Sequence, residues 1–354
     1  MENNTKYCIG VMSGTSLDGL DIAYIKLSFK TSFKFKILKA VTIPYHPDWK
    51  KALKNGFHLS GEALTKLDAD YGIYLGNTLK SFIIENNIEN IDFIASHGHT
   101  IYHNPAEHYT LQIGNGPYIN TITGVKTICD FRTQDVALGG QGAPLVPIGD
   151  ALLFAKYDYC LNLGGFSNIS MRKNKLRIAY DICPVNIVLN HYVNSLNLEY
   201  DDNGKIASTG SIEVDLLNEL NGLPFYNDSK PKSLGYEFIL ETIFPIIDKY
   251  NLETKDILRT FVEHIAIQIA KKIDSNPSKI MLIAGGGAYN GFLIEKLSSY
   301  TKTQLTIPDD EIINYKEALV FALLGYLKNE EKNNCLKSVT GASKNHSSGI
   351  IYNA

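Results

Sequence analysis

The segment GVMSGTSLDGLD, residues Gly10–Asp21, lies between two runs rich in β-forming residues, Lys6–Met12 and Ile22–Leu27. A tight hairpin turn needs one glycine or an Asn-Gly pair, so this segment carries more hydroxyl and carboxylate groups than a turn requires. Because successive N–H groups in a glycine-rich turn form an anion-binding nest, it predicts a phosphate-binding loop, with Asp18 and Asp21 as oxygen ligands for magnesium. The alternative is a hairpin whose hydroxyls bond their own backbone. No G-K-[ST] follows the glycines, which excludes a Walker loop.

The composition is typical of a globular protein that acts on small molecules. The chain has 354 residues, of which 44% are hydrophobic and 20% charged, and this length predicts about two domains. A formal net charge of -3 gives no reason to expect nucleic acid. We do not expect secretion, because the N-terminal residues MENNTKYCIG show no long apolar region after a basic start, and we do not expect a membrane span, because no segment approaches 18 consecutive apolar residues.

The cysteines favour a reducing cytoplasm. They lie far apart without a C-x-x-C pair, which argues against a disulfide framework and against a zinc site. The five positions are Cys8, Cys129, Cys160, Cys183 and Cys335.

The order of elements indicates an α/β chain with a duplicated arrangement. A third β-type run, Phe33–Ile43, predicts an antiparallel meander, and a helical pattern over Leu59–Asn86 then leads to a strand in IDFIASHG, residues 91–98. The strand, turn, strand order recurs in DYCLNLGGFSNISMR, residues 158–172, before a strand in KLRIAYDICP, residues 175–184. The second half is therefore expected to be a degenerate copy of the first.

Three further groups have the chemistry of ligand-binding elements. Gly285–Gly287 join an apolar strand to a helix, which permits either close approach of a ligand or simple close packing. In DFRTQDVALGGQGAPLVP, residues 130–147, Arg132 suits a carboxylate or phosphate, and an internal ion pair with Asp135 is the alternative. Asp181 ends the strand LRIAYD, where α/β proteins place reactive groups, although a helix N-cap is equally consistent.

The segment SHGHTIYH, residues 96–103, contains three histidines, His97, His99 and His103. A metal site there would need a further carboxylate ligand and suitable geometry. We therefore expect these side chains to act as hydrogen-bonding groups, as in sugar-binding loops.

Taken together, these segments resemble the anhydro-N-acetylmuramic acid kinase family. The resemblance implies an α/β fold of two duplicated ribonuclease-H-like, actin-like ATPase lobes with an interlobe cleft. We expect an N-terminal lobe over 1–135, a C-terminal lobe over 136–335, and a segment 336–354 that packs back on the first lobe. The matching segments are IGVMSGTSLDGLD, SHGHTIYH, LQIGNG, DFRTQDVALGGQGAPLVP, LNLGGFSNIS, PKSLGYEF, GGGAYN, KEALVFALLGYL and VTGASKNHSSGIIY.

The resemblance also implies a set of site residues. Asp18 and Asp21 would hold Mg²⁺, directly or through water, and Asp181 matches the position of the catalytic base. The residues implied for ATP are Gly14, Thr15, Ser16, Leu17, Asp18, Gly19, Leu20, Asp21, Gly164, Gly165, Gly285, Gly286 and Gly287. Those implied for the sugar are His97, Thr100, Arg132 and Asp135.

The family reaction converts 1,6-anhydro-N-acetylmuramic acid, ATP and water into N-acetylmuramic acid 6-phosphate and ADP, in the recycling of cell-wall sugar. The family is usually a homodimer, and its partner is a small sugar rather than nucleic acid or a membrane. Around the base the family commonly reads D-T-G-P-G-N, whereas residues 181–186 here read DICPVN, and His99 replaces a usual glutamine. Two alternatives therefore stay open: a kinase of a free amino sugar such as N-acetylmuramic acid, and a nucleotide-binding regulator without catalysis.

Overall fold

The computed structural model describes residues 4–227 and 234–354. Their contacts divide the chain into two units: unit 1 is Met1–Leu153 with Tyr315–Ala354, and unit 2 is Phe154–Asn314. These boundaries differ from the expected ones at 135/136 and 335/336. The reason is close packing: a Cβ on Gly149 would lie 2.3 Å from the Val320 side chain, so the segment after residue 135 stays with unit 1.

Unit 1 contains seven strands, and its first three run nearly as the sequence predicts. They are β1 Asn4–Ser13, β2 Gly19–Phe29, β3 Phe33–Pro44, β4 Phe93–Asn104, β5 Tyr109–Ile113, β6 Thr127–Cys129 and β12 Ile350–Tyr352. The sheet order is β12-β6-β4-β1-β2-β3, with β5 paired to β4. Strand β3 forms one edge, and its outward positions carry the exposed lysines Lys34, Lys36 and Lys39, a common device against edge-to-edge aggregation.

Helices cover both faces of this sheet. They are α1 Pro47–Asn55, α2 Gly61–Glu85, α3 Gly116–Thr123, α4 Thr133–Ala137, α5 Pro147–Leu152, α14 Asp310–Asn329 and α15 Lys337–Thr340. Ile9 and Val11 of β1 pack in one core cluster with Tyr71 and Leu75 of α2. Gly10 lies between them and faces the opposite way, since a Cβ there would lie 1.9 Å from the Ala318 carbonyl oxygen of α14. The alternation of β1 thus fixes a helix–sheet–helix layering.

Unit 2 has a five-stranded sheet. Its strands are β7 Tyr159–Leu163, β8 Phe166–Lys173, β9 Leu176–Pro184, β10 Ile280–Ala284 and β11 Gln304–Thr306. Its helices are α6 Asn186–Val193, α7 Lys205–Thr209, α8 Val214–Asn221, α9 Pro224–Asn227, α10 Tyr236–Phe238, α11 Phe244–Asp248, α12 Thr254–Ala270 and α13 Gly291–Tyr300. Helix α12 is buried along most of its length in the core of this unit.

The two sheets share one topology. In unit 2 the order is β11-β10-β7-β8-β9, with β7–β8 and β8–β9 antiparallel and β10 parallel to both neighbours. Strands β1, β2, β3, β4 and β6 of unit 1 repeat these pairings in the same order. When only these five corresponding strands are numbered in each unit, both sheets read 3-2-1-4-5. The expected duplicated, ribonuclease-H-like α/β fold is confirmed.

None of the helices within residues 4–227 and 234–354 is both long enough and apolar enough to cross a membrane.

Candidate functional site

The turn between β1 and β2 leaves its polar groups open. Thr15, Ser16 and Asp18 are exposed, and Leu17 adopts a left-handed conformation with φ 60°. Its N–H donates to the Gly14 carbonyl at 3.3 Å. Within the part of the chain that the structure describes, neither hydroxyl bonds the loop's own backbone, as the hairpin alternative would require. The turn therefore presents hydroxyl and N–H donors to a ligand.

Gly19 and Leu20 belong to the scaffold of this loop. A Cβ on Gly19 would lie 2.6 Å from the Ile43 carbonyl oxygen, so the position requires glycine for strand packing. The Leu20 side chain is fully buried in the core of unit 1. In an ATP site, Gly19 and Leu20 would therefore contribute only their backbone groups.

Three carboxylates influence one another beside the turn. Burial raises the pKa of Asp21, the charge of Asp18 raises it further, and the Thr42 hydroxyl opposes this by donating to Oδ1 at 2.6 Å. Burial likewise raises the pKa of Glu317 on α14, which Asp21 also raises and Arg132 lowers. Carboxylate oxygens are the ligands that Mg²⁺ prefers. The chemistry of these side chains therefore suits a magnesium ion.

Glu317 is the functional candidate that sequence reasoning missed. Glu317 is an exposed residue, yet the protein atoms around its carboxyl group desolvate that group and raise its pKa. That combination is typical of a carboxylate in a binding site. The available signal was an acidic residue at the head of ALVFALLGYL, residues 318–327, a stretch that is otherwise apolar.

Arg132 is held by His97 rather than by Asp135. Its Nε donates to His97 Nε2 at 2.9 Å, and its Nη1 donates to the Gly142 carbonyl at 2.6 Å. Since His97 Nε2 accepts this bond, its Nδ1 carries the proton and donates to the Gly98 carbonyl at 2.9 Å. Burial and the Arg132 charge lower the pKa of His97 well below its usual value. The neutral imidazole thus orients a guanidinium that keeps further donors for an anion.

The other two histidines have separate partners. His99 Nδ1 lies 2.8 Å from the Ser13 hydroxyl, which also accepts a 2.7 Å bond from Tyr45, and burial lowers the pKa of His99 to about 4. His103 Nδ1 lies 3.0 Å from the Thr110 hydroxyl. All three histidines thus form hydrogen bonds within the protein, and the Ser13 network fixes the end of β1 beside the polar turn.

A cavity of about 220 Å³ in unit 1 includes His97, and its lining combines polar and apolar groups. Its polar lining includes Asp68, Gln112, Asn115, Asp130 and Thr133. Thr100, also implied for the sugar, lies on β4 outside this lining, and Gln112 Nε2 donates to its hydroxyl at 3.4 Å. The cavity offers both donors and acceptors, which suits a polyhydroxylated ligand better than an apolar one.

Asp135 is fully buried. Its Oδ2 accepts a 2.7 Å bond from the Gly142 N–H, and its Oδ1 accepts one of 2.7 Å from the Thr340 hydroxyl. In this conformation its carboxylate holds the loop that carries Arg132 to the C-terminal segment.

In unit 2, Asp181 lies on β9 opposite Asn168 of β8, next to a register shift in the ladder. The Leu234 N–H donates to its Oδ2 at 2.8 Å. Burial raises the pKa of Asp181, and the Leu234 bond partly offsets this. A partly buried carboxylate with a raised pKa has the character of a general base. The N-cap alternative fails in the described structure, because Val185 occupies the N-cap position of α6.

The glycines of unit 2 differ in their surroundings. The carbonyls of Gly164 and Gly165, in the β7–β8 turn, accept bonds from the first N–H groups of α6 and its N-cap. A Cβ on Gly285 or Gly287 would lie less than 3 Å from Leu163, whereas one on Gly286 would find its nearest neighbour at 3.8 Å. Close packing therefore explains Gly285 and Gly287, and within the triple glycine it is Gly286 that leaves room for a ligand.

The bulkier residues of DICPVN do not cover Asp181. Cys183 and Val185 are both fully buried in the core cluster of unit 2, and the Ser167 hydroxyl donates to the Cys183 carbonyl at 3.0 Å. Lys232, in the matching segment PKSLGYEF, lies outside the described residues. The departure from the family pattern is thus accommodated by the core.

The duplicated 3-2-1-4-5 arrangement, with an open polar turn after the first strand of unit 1, is the pattern of the actin-like fold. The family model for anhydro-N-acetylmuramic acid kinase matches residues 6–354. The chain is 35% identical to the anhydro-N-acetylmuramic acid kinase of Pasteurella multocida (strain Pm70), over 99% of this chain and 98% of the relative. It is 34% identical to that of Francisella tularensis subsp. novicida (strain U112), over 95% and 96%.

A solved hexokinase from Schistosoma mansoni, complexed with glucose, is a distant likeness at 11% identity and a TM-score of 0.37, over 91% of this chain and 85% of the hexokinase. The family model and the two full-length relatives show the family of this chain. The chain belongs to the anhydro-N-acetylmuramic acid kinase family and is a sugar kinase.

Proposed function

We propose that the chain converts 1,6-anhydro-N-acetylmuramic acid, ATP and water into N-acetylmuramic acid 6-phosphate and ADP. The observation that carries the proposal is Asp181, a partly buried carboxylate whose pKa is raised by desolvation. Family membership supports both the sugar and its place in cell-wall recycling. The coupling of ring opening to phosphorylation is the finer part of the proposal.

Asp181 acts on the water. Water is a weak nucleophile near neutral pH, so a carboxylate must orient it and accept its proton. The oxygen of that water bonds to the anomeric carbon while the bond from this carbon to the 6-oxygen breaks. The freed 6-oxygen then bonds to the γ-phosphorus of ATP, ADP departs, and the proton of the attacking water remains on Asp181 until it returns to solvent.

The unit 1 turn and its carboxylates bind the phosphates in this proposal. The N–H and hydroxyl groups of Gly14–Ser16 donate to phosphate oxygens, and Asp18 and Asp21, with Glu317, hold the magnesium ion. When bound, Mg²⁺ neutralises charge on the transferring phosphoryl group. The exposed Gly286 accommodates the nucleoside, while Gly164, Gly165, Gly285 and Gly287 shape the backbone around it.

The sugar roles are assigned to the 220 Å³ cavity of unit 1 and its neighbours. His97 holds Arg132 so that the free guanidinium nitrogens can meet the lactyl carboxylate, for which a planar fork is well suited. Gln112 orients Thr100 through the 3.4 Å hydrogen bond to its hydroxyl, and Asp135 fixes the Arg132 loop through its bond from the Gly142 N–H.

We also propose a cytoplasmic homodimer. The five free cysteines support the reducing compartment.

The test is ADP release by the full chain with Mg²⁺ and ATP in H₂¹⁸O. Three reactions are compared: no sugar, free N-acetylmuramic acid, and its 1,6-anhydro form. We expect release only with the anhydro sugar, and a product with one ¹⁸O at the anomeric carbon. Release with the free sugar alone would instead establish the ordinary kinase, and no release with either would leave the nucleotide-binding regulator.

A further inference from the structure

Three side chains from distant parts of the sequence meet in the interior of unit 1: Asp135, Cys335 and His346. Their ligand atoms all lie within 4.8 Å of one another, and all three residues are buried. His346 Nε2 lies 3.5 Å from Asp135 Oδ1. Cys335 is a free thiol.

The backbone brings Cys335 and His346 together. They form an isolated antiparallel β-bridge, in which the Cys335 N–H donates to the His346 carbonyl at 3.1 Å and the reverse bond measures 3.3 Å. Side chains directly opposite in such a pair lie on the same side of the ladder, with Cβ atoms about 4.5–5.5 Å apart. The bridge therefore sets a thiol and an imidazole side by side, facing Asp135.

The imidazole is oriented as a ligand. His346 Nδ1 lies 3.2 Å from the Lys344 carbonyl, and since a carbonyl only accepts, Nδ1 carries a proton. Nε2 then faces the cluster, and within the described residues it is a buried atom with no hydrogen-bond partner. A backbone carbonyl on the distal nitrogen is the arrangement that orients histidines on metal ions.

The carboxylate is oriented too. The Gly142 N–H and the Thr340 hydroxyl each donate to one oxygen of Asp135, and a carboxylate has further lone pairs available. Two buried acceptors 3.5 Å apart repel each other unless a positive charge lies between them. A bound cation or an added proton on Nε2 would supply that charge.

We propose that Asp135, Cys335 and His346 bind a zinc-class divalent cation. Thiolate, imidazole and carboxylate together form a donor set that zinc prefers, with a fourth tetrahedral position left for water. Zinc bond lengths place neighbouring ligand atoms on the order of 3.5 Å apart, and the distance from His346 Nε2 to Asp135 Oδ1 already has this value. Because all three ligand atoms lie within 4.8 Å of one another, the Cys335 sulfur needs only a small movement toward the other two. The sequence-level argument against zinc missed this set because its ligands follow no local spacing.

Such an ion would tie the C-terminal segment to the loop that carries Arg132. Residues 335 and 346 lie before β12, which pairs with β6 in the unit 1 sheet, and Asp135 lies on α4. Metal binding to a site that the unfolded chain lacks adds to folding stability. The proposal does not depend on the kinase assignment.

The test is a Co²⁺ titration of the full chain after treatment with a chelator, followed by absorption spectroscopy. We expect one Co²⁺ per chain, a thiolate-to-cobalt charge-transfer band, and its loss on addition of Zn²⁺. Cys335→Ser should abolish the band, and His346→Gln should weaken Co²⁺ affinity at least about tenfold. The control Cys129→Ser removes another thiol of unit 1 and should keep the band.

Wild-type protein without a charge-transfer band at excess Co²⁺ would overturn the proposal and leave a protonated His346 as the source of the charge. A band that persists in Cys335→Ser would overturn it as well. Thermal unfolding gives an independent readout that needs no thiol chemistry: Zn²⁺ should raise the Tm of the wild type and of Cys129→Ser, but not that of His346→Gln. An equal rise in all three would also count against the site.

Discussion

Each unit carries a carboxylate at the corresponding pair of facing positions in its own sheet. The strand that bears the acid differs between the two units. The third residue of β2 is Asp21, paired with Thr42 of β3. The third residue of β8 is Asn168, paired with Asp181 of β9. One pair of facing positions thus carries its acid on the second strand in unit 1 and on the third strand in unit 2.

The surroundings of the two acids differ accordingly. Asp21 accepts a hydroxyl bond from Thr42 and is close enough to Asp18 for mutual repulsion, a setting that a cation relieves. Asp181 accepts one N–H bond, from Leu234, and burial is the main influence on its pKa. This difference is the one that the proposed roles require, a cation ligand in unit 1 and a proton acceptor in unit 2.

The turns show the same division. The turn of unit 1 exposes Thr15 and Ser16, whereas the carbonyls of Gly164 and Gly165 accept N–H bonds of 2.8 to 3.4 Å from the start of α6. The first turn is therefore free to bind phosphate, and the second is committed to anchoring a helix. Duplication preserved the frame while each copy specialised its loops.

The largest effect should come from removing the base. We expect Asp181→Asn to lower kcat/KM by about 10²–10⁴, the usual contribution of a general base, because the amide cannot accept the proton of water. Steady-state ADP release with the anhydro sugar measures this. The matched control is Asp215→Asn, an exposed carboxylate of the same unit; a loss of equal size in both variants would contradict the base assignment.

The pH dependence of the same enzyme sharpens the assignment. Because the pKa of Asp181 is raised above the ordinary aspartate value of about 3.9, activity should fall as pH drops through that higher pKa. The free energy of unfolding has the opposite pH dependence. Above the pKa of Asp181 in the unfolded chain, the ionised carboxylate opposes folding, whereas the neutral amide of Asp181→Asn does not. Asp181→Asn should therefore match or exceed the wild-type Tm at neutral pH, and the difference should vanish below about pH 3.9. A lower Tm at neutral pH would contradict the burial argument.

A smaller effect is expected at the other acid. Asp21→Asn should reduce kcat/KM for ATP about 10- to 100-fold and raise the Mg²⁺ concentration needed for half-maximal rate, because one ligand loses its charge. Thr42→Val should cost about 1 kcal/mol of stability. It should also raise the pKa of Asp21, because the Thr42 hydroxyl bond that lowers this pKa in the wild type is lost. Thr42→Ser keeps the hydroxyl and should restore both properties. An unchanged Mg²⁺ requirement in Asp21→Asn would mean that the two acids do not differ in task.

The sequence predicts the frame of each unit well because strand alternation and turn chemistry are local. The runs assigned to β1, β2 and β3 lie within two or three residues of the observed ends, and the helix expected over 59–86 is α2, Gly61–Glu85. Asp181 was also identifiable, because it is an acid within an apolar run, although β9 continues past it to Pro184. These features need no information from elsewhere in the chain.

Long-range partners were beyond such reasoning. Glu317 approaches Arg132 and Asp21 only because α14 returns to the sheet of unit 1. His97 was expected to touch the sugar, and its bond to Arg132 spans a separation that no local pattern encodes. The unit boundary shows the same limit, since the packing of Gly149 on Val320 depends on two segments far apart in sequence.

The smallest effect on catalysis separates ligand contact from packing in the triple glycine. Gly286→Ala should leave stability within about 0.5 kcal/mol of wild type, since its Cβ would have no neighbour closer than 3.8 Å, and should raise the KM for ATP several-fold if the nucleotide approaches this backbone. Gly285→Ala should instead destabilise the fold by about 1–3 kcal/mol, because Gly285 has φ 82° and its Cβ would lie 2.6 Å from Asn162 Oδ1. Thermal unfolding and ATP titration of both variants make the comparison. An unchanged KM in Gly286→Ala would assign the whole run to packing, and unit 2 would then contribute its base but not its glycines to ATP binding.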